Sequence, residues 1–352
     1  MSGQPAPPGD PIATSIRTAL QLATRAPSVH NSQPWHWRVR GRTLELFAVP
    51  DLQLPSVDPD GRGLLLSCGA ALHHCTVALA ALGRQFRVHR LPDPTDRNLL
   101  ASIELSASNT DQAPEQVDVA LAAAIPRRRT DRRCYSDWPV STADIALMGA
   151  RAARAGVMLR QINALDRLSA VVNRAVSEHL ADYEYLSELT TWSGRHGSVA
   201  GVPAGSVPAP QADSPITGRI FAGPALAQPA GAAPGADHAA MLALGTEDDD
   251  RLAQLRAGEA TSVVLLTATA LGLASCPITE PLEIAETRAV VRGDVFGTSG
   301  YPQMLLRVGW APINADPLPA TPRRSLDDTV DWAVEAEPGA ECPGGEVGEV
   351  YV

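Results

Sequence analysis

One stretch of this chain occurs twice in outline. Gly69-Ala70-Ala71 leads to Ala80-Ala81-Leu82-Gly83, and Gly258-Glu259-Ala260 leads to Thr269-Ala270-Leu271-Gly272. Each run starts at a glycine, stays largely apolar and closes on Ala-Leu-Gly, and one offset relates both glycine pairs. Self-similarity of this kind points to an ancient duplication, hence to two similar halves. The 352 residues leave room for two ordinary domains or one large pseudo-symmetric unit. Leu64 to Leu82 is apolar almost all round, as in a buried central helix.

Hydrophobic residues make up 45% of the chain and charged residues 19%, which suits a packed core and speaks against wholesale disorder. A net charge of −10 makes nucleic acid a poor partner. The chain has no lysine, so a phosphate site must be built from arginine forks or backbone N–H groups. The five cysteines (Cys68, Cys75, Cys134, Cys276, Cys342) form no CxxC pair and no disulfide framework. Met1 to Ile12 lacks the apolar segment of a secretory signal, and no run of about 18 apolar residues is evident, so no membrane span and a cytoplasmic location are expected. His73-His74-Cys75 with Cys68 lacks the spacing of a metal site, so no metal is expected. Glu247 with Asp248-Asp249-Asp250 reads as a solvated helix start.

Periodicity predicts a helix over Pro11 to Arg25, strands at Trp35 to Arg40 and Thr43 to Val49 around a turn at Gly41, and strands at Gln85–Leu91 and Leu99–Ser106. Residues 107–116 read as a polar connector. A short helix then ends in the cluster Arg127–Arg133, and helices are expected over 142–155 and 164–190, with Ser141 capping the first. Trp192, Tyr183 and Tyr185 read as packing residues at the end of the long helix. Residues 193–236 are rich in Gly, Pro, Ala and Ser without a sustained period, which suggests a lid or an irregular insertion. Helix texture returns at Asp248–Leu271, a strand is expected at Met304–Val308, and an extended tail follows with prolines at 312, 317, 319 and 322.

The segment richest in chemistry is Ala26-Pro27-Ser28-Val29-His30-Asn31-Ser32-Gln33-Pro34-Trp35. Ser28, Asn31 and Gln33 offer donors and acceptors within six residues, two prolines stiffen the backbone, and Trp35 offers an apolar face. A flat ring with a polar rim, such as a flavin, needs that combination. A Ser/Asn capping turn ahead of a strand has the same composition. Likewise, Arg127–Arg133 reads either as a phosphate site or as a solvated helix end.

The segment resembles the flavin-contacting signature PSxxNxQPW of the nitroreductase family, without gaps. Ile125-Pro126-Arg127-Arg128-Arg129-Thr130-Asp131-Arg132-Arg133-Cys134 is similar to that family's RRSxRxF segment, with Thr130 for Ser and Cys134 for Phe. Ala270 to Ile278 resembles its GLGSC-type segment, while Arg307-Val308-Gly309-Trp310 and Pro322-Arg323-Arg324-Ser325 resemble its closing strand and basic tail. The resemblance implies an FMN held by Pro27, Ser28, Val29, His30, Asn31, Ser32 and Gln33, by Arg128, Thr130 and Arg132, by Cys276, Pro277 and Ile278, and by Arg323 and Arg324 on the phosphate.

In the usual family RRSxRxF precedes PSxxNxQPW in one subunit, and each FMN sits between two subunits. Here the order is reversed, one signature per half, and no arginine cluster precedes Pro27. The arrangement is similar to the mycobacterial Acg-type subfamily of single-chain pseudo-dimers. It implies an α+β, internally duplicated nitroreductase-like fold with one FMN. The expected organisation is a tail at 1–10, a first half at 11–116, a second half at 117–335 carrying the 193–236 insertion, and a flexible tail at 336–352. A monomer would suffice for function, and further assembly is left open. With no Gly-rich dinucleotide fingerprint, NAD(P)H would be a transient donor over the flavin. The implied activity is NAD(P)H-driven reduction of a nitroaromatic or quinone-like acceptor, with the chemistry done by FMN and no catalytic side chain. The alternatives are an FMN storage protein shut by its insertion, which would suppress turnover, or a colourless interaction protein.

Overall fold

The computed structural model describes residues 10–106, 113–195, 197–210, 216–229, 237–312 and 314–333. Asp10 opens the first helix, α1 (Pro11–Ala23), by accepting from the Ile12 N–H at 2.8 Å, with Pro11 at the first helical position. β1 (Trp35–Arg40) and β2 (Thr43–Ala48) form an antiparallel hairpin whose turn places Gly41 at φ 54°. Burial alternates along both strands, so Trp35, Trp37, Leu44 and Leu46 face the core. α2 (Arg62–Ala81), β3 (Phe86–Arg90) and β4 (Leu99–Leu105) complete the first half.

The second half begins with α3 (Gln116–Ala124), α4 (Thr142–Arg154) and β5 (Met158–Ile162). Ser141 caps α4 through the Asp144 N–H. α5 (Leu165–Leu180) and α6 (Tyr183–Trp192) follow, then two short strands of the insertion, β6 (Ser193–Arg195) and β7 (Val202–Pro203). β8 (Ala240–Thr246), α7 (Arg251–Ala270), β9 (Ala274–Ile278), α8 (Ala285–Val291) and β10 (Tyr301–Gly309) build the main body. α9 (Leu326–Thr329) and β11 (Val330–Trp332) end the described chain.

The duplication is visible in the topology. One sheet runs β11-β1-β2-β4-β3 and the other β5-β8-β10-β9. Leaving out β11, the second order repeats the first, each inner pair is antiparallel, and a 20-residue helix links the second and third strands by sequence. β11 leaves the second half and pairs parallel with β1, tying the end of the chain to the first sheet.

α2 and α7 begin and end at equivalent residues, and Gly69 and Gly258 form their crossing. A Cβ on Gly69 would lie 2.1 Å from the Leu255 carbonyl oxygen, and one on Gly258 would lie 2.2 Å from that of Leu66. Only glycine allows backbones this close. The equivalent positions Ala70 and Glu259 differ sharply, as do Ile278 and Arg90 at the ends of equivalent strands. Glu259 and Arg90 form a bidentate ion pair, 2.7 Å at both contacts. The place that matches the walls around Ala70 and Ile278 is thus filled by charge on the other side of the pseudo-twofold.

Several expectations need correction. The helix expected over 164–190 is two helices, because Asp182 breaks out and caps α6 through the Glu184 and Tyr185 N–H groups. Tyr185 is a packing residue, but Tyr183 is 83% exposed at the start of α6 rather than packed at a helix end. Strands β5, β8, β9 and β11 had no expectation; β8 is buried at every residue and so has no alternation to read. α2 is long and apolar enough to cross a membrane by length and composition alone, with a mean hydropathy of 1.6 over its most apolar window. That window is 78% buried within the protein, which identifies a core helix. Cys342, residues 1–9, the 336–352 tail and part of the 107–116 connector lie outside the described residues.

Candidate functional site

The Ser28–Gln33 loop is locally strained. His30, Asn31 and Gln33 have φ of 47°, 56° and 54°, and the only other non-glycine residue with positive φ among the described residues is Leu91. Such backbone persists only where surrounding contacts over-determine it, and it concentrates at binding sites. Those contacts are visible. The Ser28 hydroxyl accepts from the Gln33 N–H at 3.0 Å, and the Val29 N–H donates to the Ser67 hydroxyl of α2 at 3.2 Å.

The loop borders a cavity of about 450 Å³. Pro27, Ser28, Val29 and His30 form one wall, and Leu66, Ser67 and Ala70 of α2 another. Thr130 and Arg132 come from the arginine segment, and Cys276, Pro277 and Ile278 from β9. The 193–236 insertion supplies Val207 to Pro210, Ile216 to Phe221 and Gln228. The walls therefore come from both halves and from the insertion, at the seam beneath the α2–α7 crossing.

Nine of the fifteen residues expected at the site line this cavity: Pro27, Ser28, Val29, His30, Thr130, Arg132, Cys276, Pro277 and Ile278. The other six do not line it. Gln33 is fully buried; its amide donates to the Val199 carbonyl at 2.8 Å and to that of Asn31 at 3.2 Å, while its oxygen accepts from the Arg324 N–H at 2.9 Å. Asn31 donates to the carbonyls of Gly201 and Pro322 at 3.1 and 3.2 Å. These two side chains bind the insertion and the C-terminal segment to the loop, leaving their amides no free donor geometry toward the cavity. Ser32 is buried between them. Arg324 donates through Nη2 to the Asp328 carbonyl at 2.7 Å, while its Nη1 is buried without a partner.

Arg128 and Arg323 meet Arg25 in a cluster of like charge. Arg128 reaches the Thr130 hydroxyl of the cavity wall at 3.4 Å, and Arg323 donates to the carbonyls of Arg25 and Ala26 at 3.2 and 3.1 Å. Arg25, Arg128 and Arg323 each leave Nε buried without a partner. Among the described residues no carboxylate lies within ion-pair distance of any of the three. Burial, reinforced by Arg129, Arg25 and Arg132, pulls the Arg128 guanidinium down to about 10; burial with Arg128, Arg25 and Arg129 pulls Arg323 down to about 9. Cations gathered this way are suited to an anion, which would satisfy the orphaned N–H groups and relieve the repulsion together.

Arg219 and Glu280 were not singled out in the sequence, and the partners of Arg132, Arg307 and Cys276 emerge only in the fold. Arg219, from the irregular insertion, donates to His30 Nε2 at 2.7 Å and Thr279 Oγ1 at 3.2 Å, and is ion-paired with Glu283. Arg132 donates to the Ser206 carbonyl at 3.2 Å and lies 4.9 Å from the Phe221 ring. Arg307 on β10 lines the cavity and pairs with Asp237 at 3.1 Å. Glu280, also in the wall, accepts from His179 at 3.1 Å. Burial pushes the Cys276 thiol up despite Arg132 and Arg307, so it stays protonated and a poor nucleophile. His73 and His74, weighed as metal ligands, bond instead to the Ser262 hydroxyl at 2.8 and 2.9 Å.

Residues 125–310 match the Nitroreductase family. A Mycobacterium tuberculosis protein named as a candidate NAD(P)H nitroreductase is 66% identical over 325 residues, covering 92% of this chain and 93% of the relative. The M. tuberculosis candidate NAD(P)H nitroreductase Acg is 38% identical over 319 residues, covering 89% and 94%. Among solved structures, the FMN-dependent nitroreductase NfnB of Mycobacterium smegmatis in complex with NADPH aligns with a TM-score of 0.38 at 18% identity, covering 62% of this chain and 100% of NfnB. A Bacteroides fragilis nitroreductase with bound FMN aligns with a TM-score of 0.37 at 16% identity, covering 56% and 90%. On the family match and these two relatives, the chain belongs to the nitroreductase family.

Proposed function

We propose that this chain is an FMN-dependent oxidoreductase that takes hydride from NAD(P)H and reduces a nitroaromatic or quinone-like acceptor. The observation that carries the reading is the carboxylate-free cluster of Arg25, Arg128 and Arg323 beside a cavity with apolar faces and a polar rim. The names of the relatives agree with it.

The residues present fit the cofactor. Arg128 and Arg323, with Arg25, would hold a phosphomonoester that is about doubly negative at neutral pH. Thr130 and Ser28 offer hydroxyls between that cluster and the wider cavity, suited to a sugar-alcohol chain. Leu66, Ala70 and Met304 give a ring an apolar bed, while Pro277 and Ile278 border it from β9. FMN, when bound, supplies the hydride chemistry. The chain's contribution is to position the ring, exclude water and neutralise the phosphate.

The purified protein should therefore be yellow, with one flavin per chain. Arg128→Ala combined with Arg323→Ala should remove most of the flavin; unchanged flavin content in a folded double variant would refute the phosphate assignment. A second reading, storage of FMN without turnover, is favoured by the insertion residues that wall the cavity. Rapid bleaching of the intact protein by NADPH would refute storage, and bleaching only after residues 193–236 are removed would support it.

A further inference from the structure

Beside the Asn31, Gln33 and Arg132 contacts, the insertion side of the cavity carries a buried cation of its own. Arg219 is only 7% exposed at its side chain, and its guanidinium is shared among His30, Thr279 and Glu283. His30 belongs to the strained loop of the first half, whereas Thr279 and Glu283 follow β9 in the second. Residues 216–221 are thus joined to both halves through Arg219, alongside the Thr217–Asn173 bond at 2.6 Å and the buried Ile216 and Phe221.

We propose that Arg219 is a latch on the insertion and that proton uptake by His30 releases it. The chemistry follows from the bond to His30. A guanidinium can only donate, so His30 Nε2 must present its lone pair, and the ring proton must rest on Nδ1. Nδ1 is buried without a partner, so the closed arrangement already leaves one donor unpaid in hydrogen bonds. A proton added at Nε2 removes the acceptor and sets an imidazolium against a guanidinium at 2.7 Å. The proton comes from solvent, the Arg219–His30 bond is lost, and no other bond changes order.

The surroundings offer the imidazolium no compensation while the latch is shut. The groups facing His30 are Arg219 and the Phe221 edge from the insertion, Arg132 from the arginine segment and His179 from α5. The carboxylates beyond them are paired through Oε1, Glu283 with Arg219 and Glu280 with His179, and neither is among the charges that act on His30. Burial, then Arg219, Arg132 and His179, accordingly hold His30 well below its ordinary value. Once the insertion lifts, His30 meets water and regains an ordinary pKa of about 6.5. Below that pH each unit shifts the balance about tenfold toward the open form, because opening takes up one proton. The inference concerns the insertion and holds whichever small molecule the cavity takes.

Hydrogen exchange of the intact protein as purified tests it, read at residues 216–221 between pH 5 and 8 and corrected for intrinsic exchange. Protection there should fall about tenfold per unit below about pH 6.5 while β8 and β10 keep theirs. His30→Asn tolerates the same backbone conformation and should give a flat profile; Arg219→Leu should be open at every pH. A flat wild-type profile, or an undiminished slope in His30→Asn, overturns the proposal. If the variants do not fold, the wild-type profile decides alone, a local slope supporting the latch and a flat or global one refuting it.

Discussion

Gly258→Ala is a severe test of the helix crossing. The added Cβ would lie 2.2, 2.8 and 2.9 Å from the carbonyl oxygen, carbonyl carbon and Cα of Leu66. All three belong to the backbone of α2, so no rotamer change relieves them, and the helices must part by roughly 1 Å to regain an ordinary contact. Overpacking of this kind costs about 1–3 kcal/mol or more. Alanine repays about 1 kcal/mol through its better helix propensity. The net loss should be about 1–2 kcal/mol, and because Leu66, Ser67 and Ala70 line the cavity, flavin should dissociate faster as well. Gly149→Ala in α4 is the control: its nearest neighbour would be 3.9 Å away, so it should gain up to about 1 kcal/mol from propensity alone. Urea unfolding monitored by far-UV circular dichroism compares the three proteins. A Gly258→Ala midpoint equal to or above wild type, with Gly149→Ala behaving as stated, would refute the close-crossing argument.

Asp58 predicts a pH effect whose sign is fixed by its environment. Its two oxygens accept from the Gly63 and Leu64 N–H groups at the start of α2, yet burial, aided by Glu283, raises its pKa to about 6. A carboxyl raised on folding stabilises most below its unfolded value, about 4, and that contribution is lost as pH rises through about 6. Asp58→Asn should therefore flatten the stability profile between about pH 4 and 6 by something on the order of 3 kcal/mol; parallel profiles for the two proteins would count against it. Gln33→Ala strips partners from the Val199 and Asn31 carbonyls and the Arg324 N–H. It should cost about 2–3 kcal/mol and speed amide exchange around residues 199–201, and an unchanged midpoint would show that the tether carries no weight.

Much of the frame was legible because it depends on local pattern. The alternation in Trp35 to Ala48, the Ser141 cap, the acidic helix start at 247–250 and the apolar run of α2 are short-range signals, and each became the element it suggested. β8 and β11 were silent: a strand buried on both faces has no alternation, and a three-residue strand exists only because β1 offers it a partner. The insertion looked featureless for a related reason. Its order comes from contacts to distant segments, through Arg219, Gln33 and Asn31, rather than from periodicity of its own.

By itself the sequence determined the two-half plan, since paired glycines at one offset demand equivalent places, and it supplied the arginines that a lysine-free chain must use against an anion. Only the tertiary structure decided which arginines remain unpaired, which site side chains face the cavity and which are spent as tethers. The reason is that hydrogen-bond capacity is finite. The Asn31 amide donors and the Gln33 amide are suited to a ligand, but partners up to 291 residues away in the chain claim them first, and no local pattern records that competition.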